Sequence, residues 1–265
     1  MTAALAHGRL GLPAHTTTAK QEQAGLEKQM ADLWRLKWDN IHKEPLWRLT
    51  VNGVVGAGGH GISQREPCPC GWRGDEEAVN QHGEQQAFSW RAHYFWHCPV
   101  AQAVLTELRA TLPARVHIEC ADVWLLRAPL DAGVHAGVWG LVCMVALAAM
   151  AFGRKTLLAI SLGEEDQRDT TQSLITAFFP ILSGSRPSVS VVQRASRKAA
   201  AMFWCLLQDF VAVQEVPLGW GTEVAPDHPF VGVEAVGDGG ANSQRGGLWR
   251  LRLNIPPGFN LPNQL

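Results

Sequence analysis

The sequence has almost no excess of charge: 23 basic residues face 24 acidic ones, for a formal net charge of −1. A protein that mainly coats phosphate backbones carries a large positive surplus, so that class is disfavoured, although a local basic patch is not. A secretory leader is not expected either. The opening stretch MTAALAHGRLGLPAHTTTAK lacks the continuous apolar run of a signal sequence, so no disulfide-forming compartment is implied and an intracellular, reducing setting is expected. The catalytic signatures GxSxG, HExxH and the P-loop are absent. So are the paired-aspartate turn of a polymerase and the spaced acids of a ribonuclease H. No fixed-period repeat is visible. Tyrosine occurs once against eleven tryptophans, a ratio for which composition offers no physical account.

What is present suits a folded chain. With 265 residues, 46% of them hydrophobic and 18% charged, the protein can bury a substantial core as one large domain or two small ones. Residues 1–20 show no periodicity and are expected to be disordered. From Gln21, the residues Leu26, Met30, Leu33, Trp34, Trp38 and Ile41 recur at helical spacing. Pro45 interrupts, and LWRLTVNG follows as a second short helix or an extended piece. The run Gly56–Gly61 formally matches GxGxxG, but it meets Pro67 and the cysteines too soon for a phosphate-facing helix. Val100, Val104, Leu105, Leu108 and Leu112 predict a helix that opens at Pro99 and closes at Pro113. VHIECADVWLL reads as a short strand or a helix start.

Residues 136–153 carry no charge for eighteen positions, and Arg154 and Lys155 follow directly. That is about a bilayer's length. The run is rich in Ala and Gly, and a second apolar helix, AAAMFWCLLQDFVAV at 199–213, can cover it, so a buried hairpin is expected, with a membrane span at 136–153 as the alternative. From Pro217 the chain is rich in Pro and Gly, with one strand-like stretch, LWRLRLNI, at 248–255. The expected fold class is mainly α: a small module at 21–113, a helical region at 114–216, and a Pro/Gly-rich tail at 217–265 with one short strand.

Six cysteines occur, at 68, 70, 98, 120, 143 and 205. Cys143 and Cys205 sit among Val, Leu and Ala on apolar helices, where a buried inert thiol is expected. Cys68 and Cys70 form CPCGW, and His93 and Cys98 frame HYFWHCP. Together these four make a Cys3His set, one of the closed tetrahedral ligand sets. Gly71 after the second cysteine suits the tight backbone of a metal knuckle, and YFWH supplies apolar cover. Against the set stand the tight C-x-C spacing, the twenty-two residues from Cys70 to His93, and three competing histidines, His60, His82 and His97. Spacing alone leaves two readings open: a metal site, or small buried thiols beside an ordinary helix start.

The order of features resembles the reverse-transcriptase zinc-binding domain near the C-terminal end of non-LTR retrotransposon polyproteins. The matching pieces are Leu46-Trp47-Arg48-Leu49 with Asn52-Gly53, then Cys68-Pro69-Cys70-Gly71. His93-Tyr94-Phe95-Trp96-His97-Cys98-Pro99 and the helix with Val104, Leu105 and Leu108 complete them. The likeness covers about residues 30–112, and the knuckle is one residue shorter than the family's. The resemblance implies Zn2+ held by Cys68, Cys70, His93 and Cys98, a non-catalytic role, and contact with RNA or DNA.

The residues themselves offer Arg65, Arg73 and Arg91 around the knuckle, beside Trp72, Trp90 and Trp96, and Arg194, Arg197 and Lys198 in QRASRKAA. Arginine next to an exposed indole can stack on unpaired bases. A solvated helix face explains the same residues, and the net charge favours it. The resemblance favours contact. The expected function is therefore a non-catalytic zinc-binding module contacting nucleic acid, with no small-molecule substrate. The alternative is a structural or protein-interaction remnant of a retroelement. Asp227-His228, between prolines, and the acids at 164–169 read as turns and not as catalytic groups.

Overall fold

The computed structural model describes residues 27–28, 30–31, 33–36, 38–51, 68–72, 92–129, 132–161, 187–213, 215–216, 231–236 and 248–253. The N-terminal 20 residues, the GxGxxG run and Asp227-His228 lie outside the described residues. The described part is mainly α-helical, as composition and periodicity predict. Its elements are α1 (Asn40–Val51), a π-helical turn (His93–His97), α2 (Pro99–Ala110), α3 (Cys120–Trp124), α4 (Ala136–Ser161) and α5 (Val189–Val213). Strands β1 (Glu215–Val216), β2 (Val231–Val236) and β3 (Leu248–Leu253) complete the described elements.

The long apolar segment becomes the core helix. α4 buries residues all round its circumference from Gly137 to Met150, the pattern of a helix enclosed by others. α5 lies along it, α2 packs against both, and α1 packs on α4. The small side chains that make α4 look unlike a bilayer span allow this close approach: a Cβ on Gly153 would lie 2.4 Å from the Ala199 Cβ and 2.5 Å from Val100 Cγ1. Two indoles tie the layers together. Trp139 Nε1 donates to the Asp122 carbonyl at 2.9 Å, and Trp204 Nε1 to Glu107 Oε2 at 2.8 Å. α4 is long and apolar enough to cross a membrane, and 83% of its most apolar window is buried inside the protein.

Local signals set the helix ends. Pro99 occupies the first turn of α2, where a missing N–H costs nothing. Thr111 closes that helix, its hydroxyl donating to the Leu108 carbonyl at 2.7 Å. The ambiguous VHIECADVWLL is a helix start: the Glu119 N–H donates to Asp122 Oδ2 at 2.8 Å, a side-chain cap that a strand would not need. Ser188 precedes α5, and its hydroxyl accepts from the Val191 N–H.

Three expectations differ from the structure. The periodic stripe at 26–41 breaks before α1, because Lys43 folds back and donates to the Trp34 and Leu36 carbonyls at 3.0 and 2.7 Å. Ile41 is consequently exposed, while Leu33 is buried. Pro45 lies inside α1 and does not interrupt it. The strand expected at 248–255 forms, but it is the centre of a three-stranded antiparallel sheet of order β1-β3-β2. Val231 pairs with Leu253 and Glu215 with Arg250. β1 and β2 have too few residues between Pro and Gly to announce themselves. Pairing with β3 makes them strands.

Candidate metal centre

Four side chains from two short segments meet at the end of α2. The donor atoms of Cys68, Cys70, His93 and Cys98 all lie within 4.8 Å of one another, a group that could hold a metal ion. Metal–sulfur bonds of about 2.3 Å and metal–nitrogen bonds of about 2.0 Å in a tetrahedron require donor separations of about 3.6–3.8 Å. Cys70 Sγ and His93 Nε2 stand 3.3 Å apart. This pair is slightly closer than that separation and would open a little around an ion.

The knuckle works through its turn. The Gly71 N–H donates to the Cys68 carbonyl at 2.8 Å, and the Cys68 N–H to the Trp72 carbonyl at 2.7 Å. Pro69 takes the second position of this turn, where its fixed φ is favoured. Gly71 adopts φ of 94°, a conformation costly for a residue with a Cβ. This tight loop presents both sulfurs on one side despite the C-x-C spacing.

The second pair depends on a rarer device. In an α-helix, at about 100° per residue, positions five apart point about 140° away from each other. Residues 93–97 instead form a π-helical turn, closed by the Cys98 N–H donating to the His93 carbonyl at 2.7 Å. That wider ring brings residues i and i+5 to the same side, one turn apart. His93 and Cys98 can therefore face the same ion.

The site is enclosed. Cys68, His93 and Cys98 are buried, and Cys70 is half-buried. The Trp72 indole stacks on the His93 ring, with centroids 4.1 Å apart and an 8° angle between planes. Tyr94 and Phe95 are buried, Trp96 is half-buried and His97 is exposed outside the cluster. Gln102 Nε2 donates to the Trp96 carbonyl. From α4, Arg154 donates to the Tyr94 carbonyl at 2.7 Å.

The three sulfurs share protons among themselves. The Cys98 thiol is held far below its ordinary range, because Cys68 and Cys70 donate to its sulfur and His93 adds to the effect. Cys68 is pushed up by its bonds to Cys70 and Cys98 and by burial. Cys70 is pulled down by Cys68, but its bond to Cys98 and burial outweigh this and place it at about 11. A bound divalent cation would replace these shared protons and draw all three sulfurs to thiolate.

Arg194, Arg197 and Lys198 lie on α5; Arg194 and Arg197 are exposed, and the buried Ala195 and Ala199 mark the opposite, core-facing side. Arg65, Arg73, Arg91 and Trp90 lie outside the described residues, as do the competing ligands His60 and His82. Trp72 does not stand free for base stacking, since one of its faces covers His93. Cys120, Cys143 and Cys205 are free thiols away from the cluster, with Cys143 buried as expected and Cys205 half-buried. Sequence reasoning missed Arg154, which stands 60 residues from its acceptor. Only a cation following the apolar run hinted at it.

Comparison with protein-family models, with curated proteins and with solved structures finds no match.

Proposed function

We propose that the chain is a zinc-stapled helical module without catalysis of its own, similar in role to the reverse-transcriptase zinc-binding domain, and that it contacts RNA or DNA. The observation that carries the metal part is the convergence of three sulfurs and one imidazole nitrogen within 4.8 Å. Zinc accepts this mixture of soft sulfur and nitrogen donors in a tetrahedron. Four protein ligands leave no position for a reacting water, which supports a structural role over hydrolysis. The ion would join the 68–72 knuckle to the π-helical turn, and its binding energy would count directly toward folding.

The nucleic-acid part rests on the resemblance over residues 30–112 and on Arg194 and Arg197, which α5 exposes, with the half-buried Lys198 beside them. The net charge of −1 favours a second reading, a structural or protein-interaction remnant that has kept the module and lost nucleic acid.

Metal analysis of the purified protein beside a Cys70→Ser, Cys98→Ser double variant tests the first part. One equivalent of zinc in the parent and none in the variant, with loss of structure around the knuckle and turn, is the expected result. A metal-free, fully folded parent would sink it. Salt-dependent binding to single-stranded RNA tests the second part. Each phosphate contact contributes a slope of about −0.7 in log affinity against log salt, and replacing Arg194, Arg197 and Lys198 with Gln should flatten that slope. Absence of binding at low salt selects the remnant.

A further inference from the structure

The π-helical turn runs directly into a proline, Pro99, at the start of α2. Cys98 donates to His93, the i→i+5 bond that shapes the turn. By the same pattern the Tyr94 carbonyl would accept from residue 99, which is a proline and has no N–H. Pro99 starts the helix behind the ligand Cys98, so the residue that begins α2 also withholds the i→i+5 donor from the carbonyl beside the ligand His93. Arg154 Nη1 fills the place at 2.7 Å. Its guanidinium lies over the Tyr94 ring at 4.5 Å and over the Phe95 ring at 5.1 Å. Three contacts therefore fix one guanidinium against the two residues that follow His93. A site of three thiolates around a divalent ion also carries one net negative charge, and a cation held against its supporting turn offsets that charge in a half-buried setting.

We infer that Arg154 is a positioning residue for the metal centre: from the core helix α4 it locks the π-helical turn in the conformation that aims His93 and Cys98 at one ion, and so couples metal affinity to the packing of α4. This rests on the reading of the cluster as a zinc site. Neither a lysine nor a neutral side chain reproduces the arrangement, because only a planar guanidinium can both stack on rings and donate to a carbonyl at its edge.

The test is zinc affinity of the full chain, measured by competition with a chelator, for the parent, Arg154→Met, Arg154→Lys and Lys155→Met. Helix content is followed by circular dichroism, and the Co2+-substituted absorption spectrum reports the ligand geometry. Removing an outer-shell partner of a metal site costs roughly ten- to a hundredfold in affinity, and that loss is expected for Arg154→Met, with an altered cobalt spectrum at retained helix content. Arg154→Lys should recover part of the loss, and Lys155→Met, which removes the exposed neighbouring charge, should bind zinc like the parent. Parent-like affinity and spectrum in Arg154→Met overturn the inference while leaving the zinc site standing. Equal losses in Arg154→Met and Lys155→Met overturn it as well, reducing the effect to net charge. Should Arg154→Met lose its helices, Arg154→Lys decides, and parent-like affinity there refutes the role. A parent that binds no zinc refutes the site itself.

Discussion

Adding one methyl group at Gly153 should loosen the core and reach the metal centre. A Cβ there would meet the Ala199 Cβ at 2.4 Å on α5 and Val100 Cγ1 at 2.5 Å on α2. Ordinary carbon contacts are about 3.5–4.0 Å, so at least one neighbour must retreat by about 1 Å. Neither can do so cheaply. The Ala199 methyl is rigid with its backbone, and a β-branched valine in a helix has one strongly preferred χ1. Replacing glycine by alanine in a helix interior gains about 1 kcal/mol of propensity. Overpacking of a filled core costs about 1–3 kcal/mol and occasionally more, and two obstructed contacts on two helices put this site at the upper end. The net expectation is a loss of about 2 kcal/mol. For a chain of this size that lowers Tm by roughly 4–8 °C. Val100 stands two residues after Cys98, so the displacement should also weaken zinc binding. Urea unfolding of Gly153→Ala in the presence of zinc reads the first effect, and chelator competition the second. A variant as stable as the parent, or more so, would show that α2, α4 and α5 do not meet this closely, and the packing argument would fail.

Other outcomes follow from single contacts. Trp72→Leu removes the stack on His93; aromatic pairs contribute about 0.5–1.5 kcal/mol, so zinc affinity should fall about two- to tenfold by chelator competition. Trp204→Phe leaves Glu107 without its indole donor and should cost about 1.5–3 kcal/mol in urea unfolding, the range for a hydrogen bond to a charged group. Burial, followed by the charge of Asp122, pushes the Cys120 thiol up to about 12. Its contribution to stability is therefore intact below the ordinary thiol range of about 8.5 and is lost as pH rises from there toward 12, by up to about 1.4 kcal/mol per pH unit. Urea midpoints at pH 8, 9 and 10 should fall less steeply for Cys120→Ala than for the parent.

The ligand types and the main helices were legible because they depend on local chemistry. Three cysteines and a histidine with a glycine after the knuckle are groups able to bind a metal whatever surrounds them, although their spacing left buried thiols as a second reading. Pro99 and the spacing of Val100, Val104, Leu105 and Leu108 mark α2 without reference to its neighbours. The uncharged run at 136–153 announced a helix that must be covered, and the apolar segment at 199–213 named its cover. The break before α1 was not legible, since the Lys43 ammonium that caps the Trp34 and Leu36 carbonyls competes with a continuous apolar stripe. Nor were β1 and β2, which owe their hydrogen bonds to β3.

Whether the four ligands could share an ion was not decided by their spacing. C-x-C looked too tight, while the four residues between His93 and Cys98 looked ordinary for a second ligand pair. The turn through Gly71 presents both sulfurs of the first pair, and the π-helical ring at His93–His97 brings the second pair to one side. That ring in turn leans on Arg154, a side chain 60 residues away. The sequence by itself determined which groups can bind a metal and which segments coil, because those properties belong to side chains and near neighbours. Only the tertiary structure decided that they converge, because donating from Arg154 to the Tyr94 carbonyl and closing three helices around Gly153 are demands that residues distant in the chain must meet together.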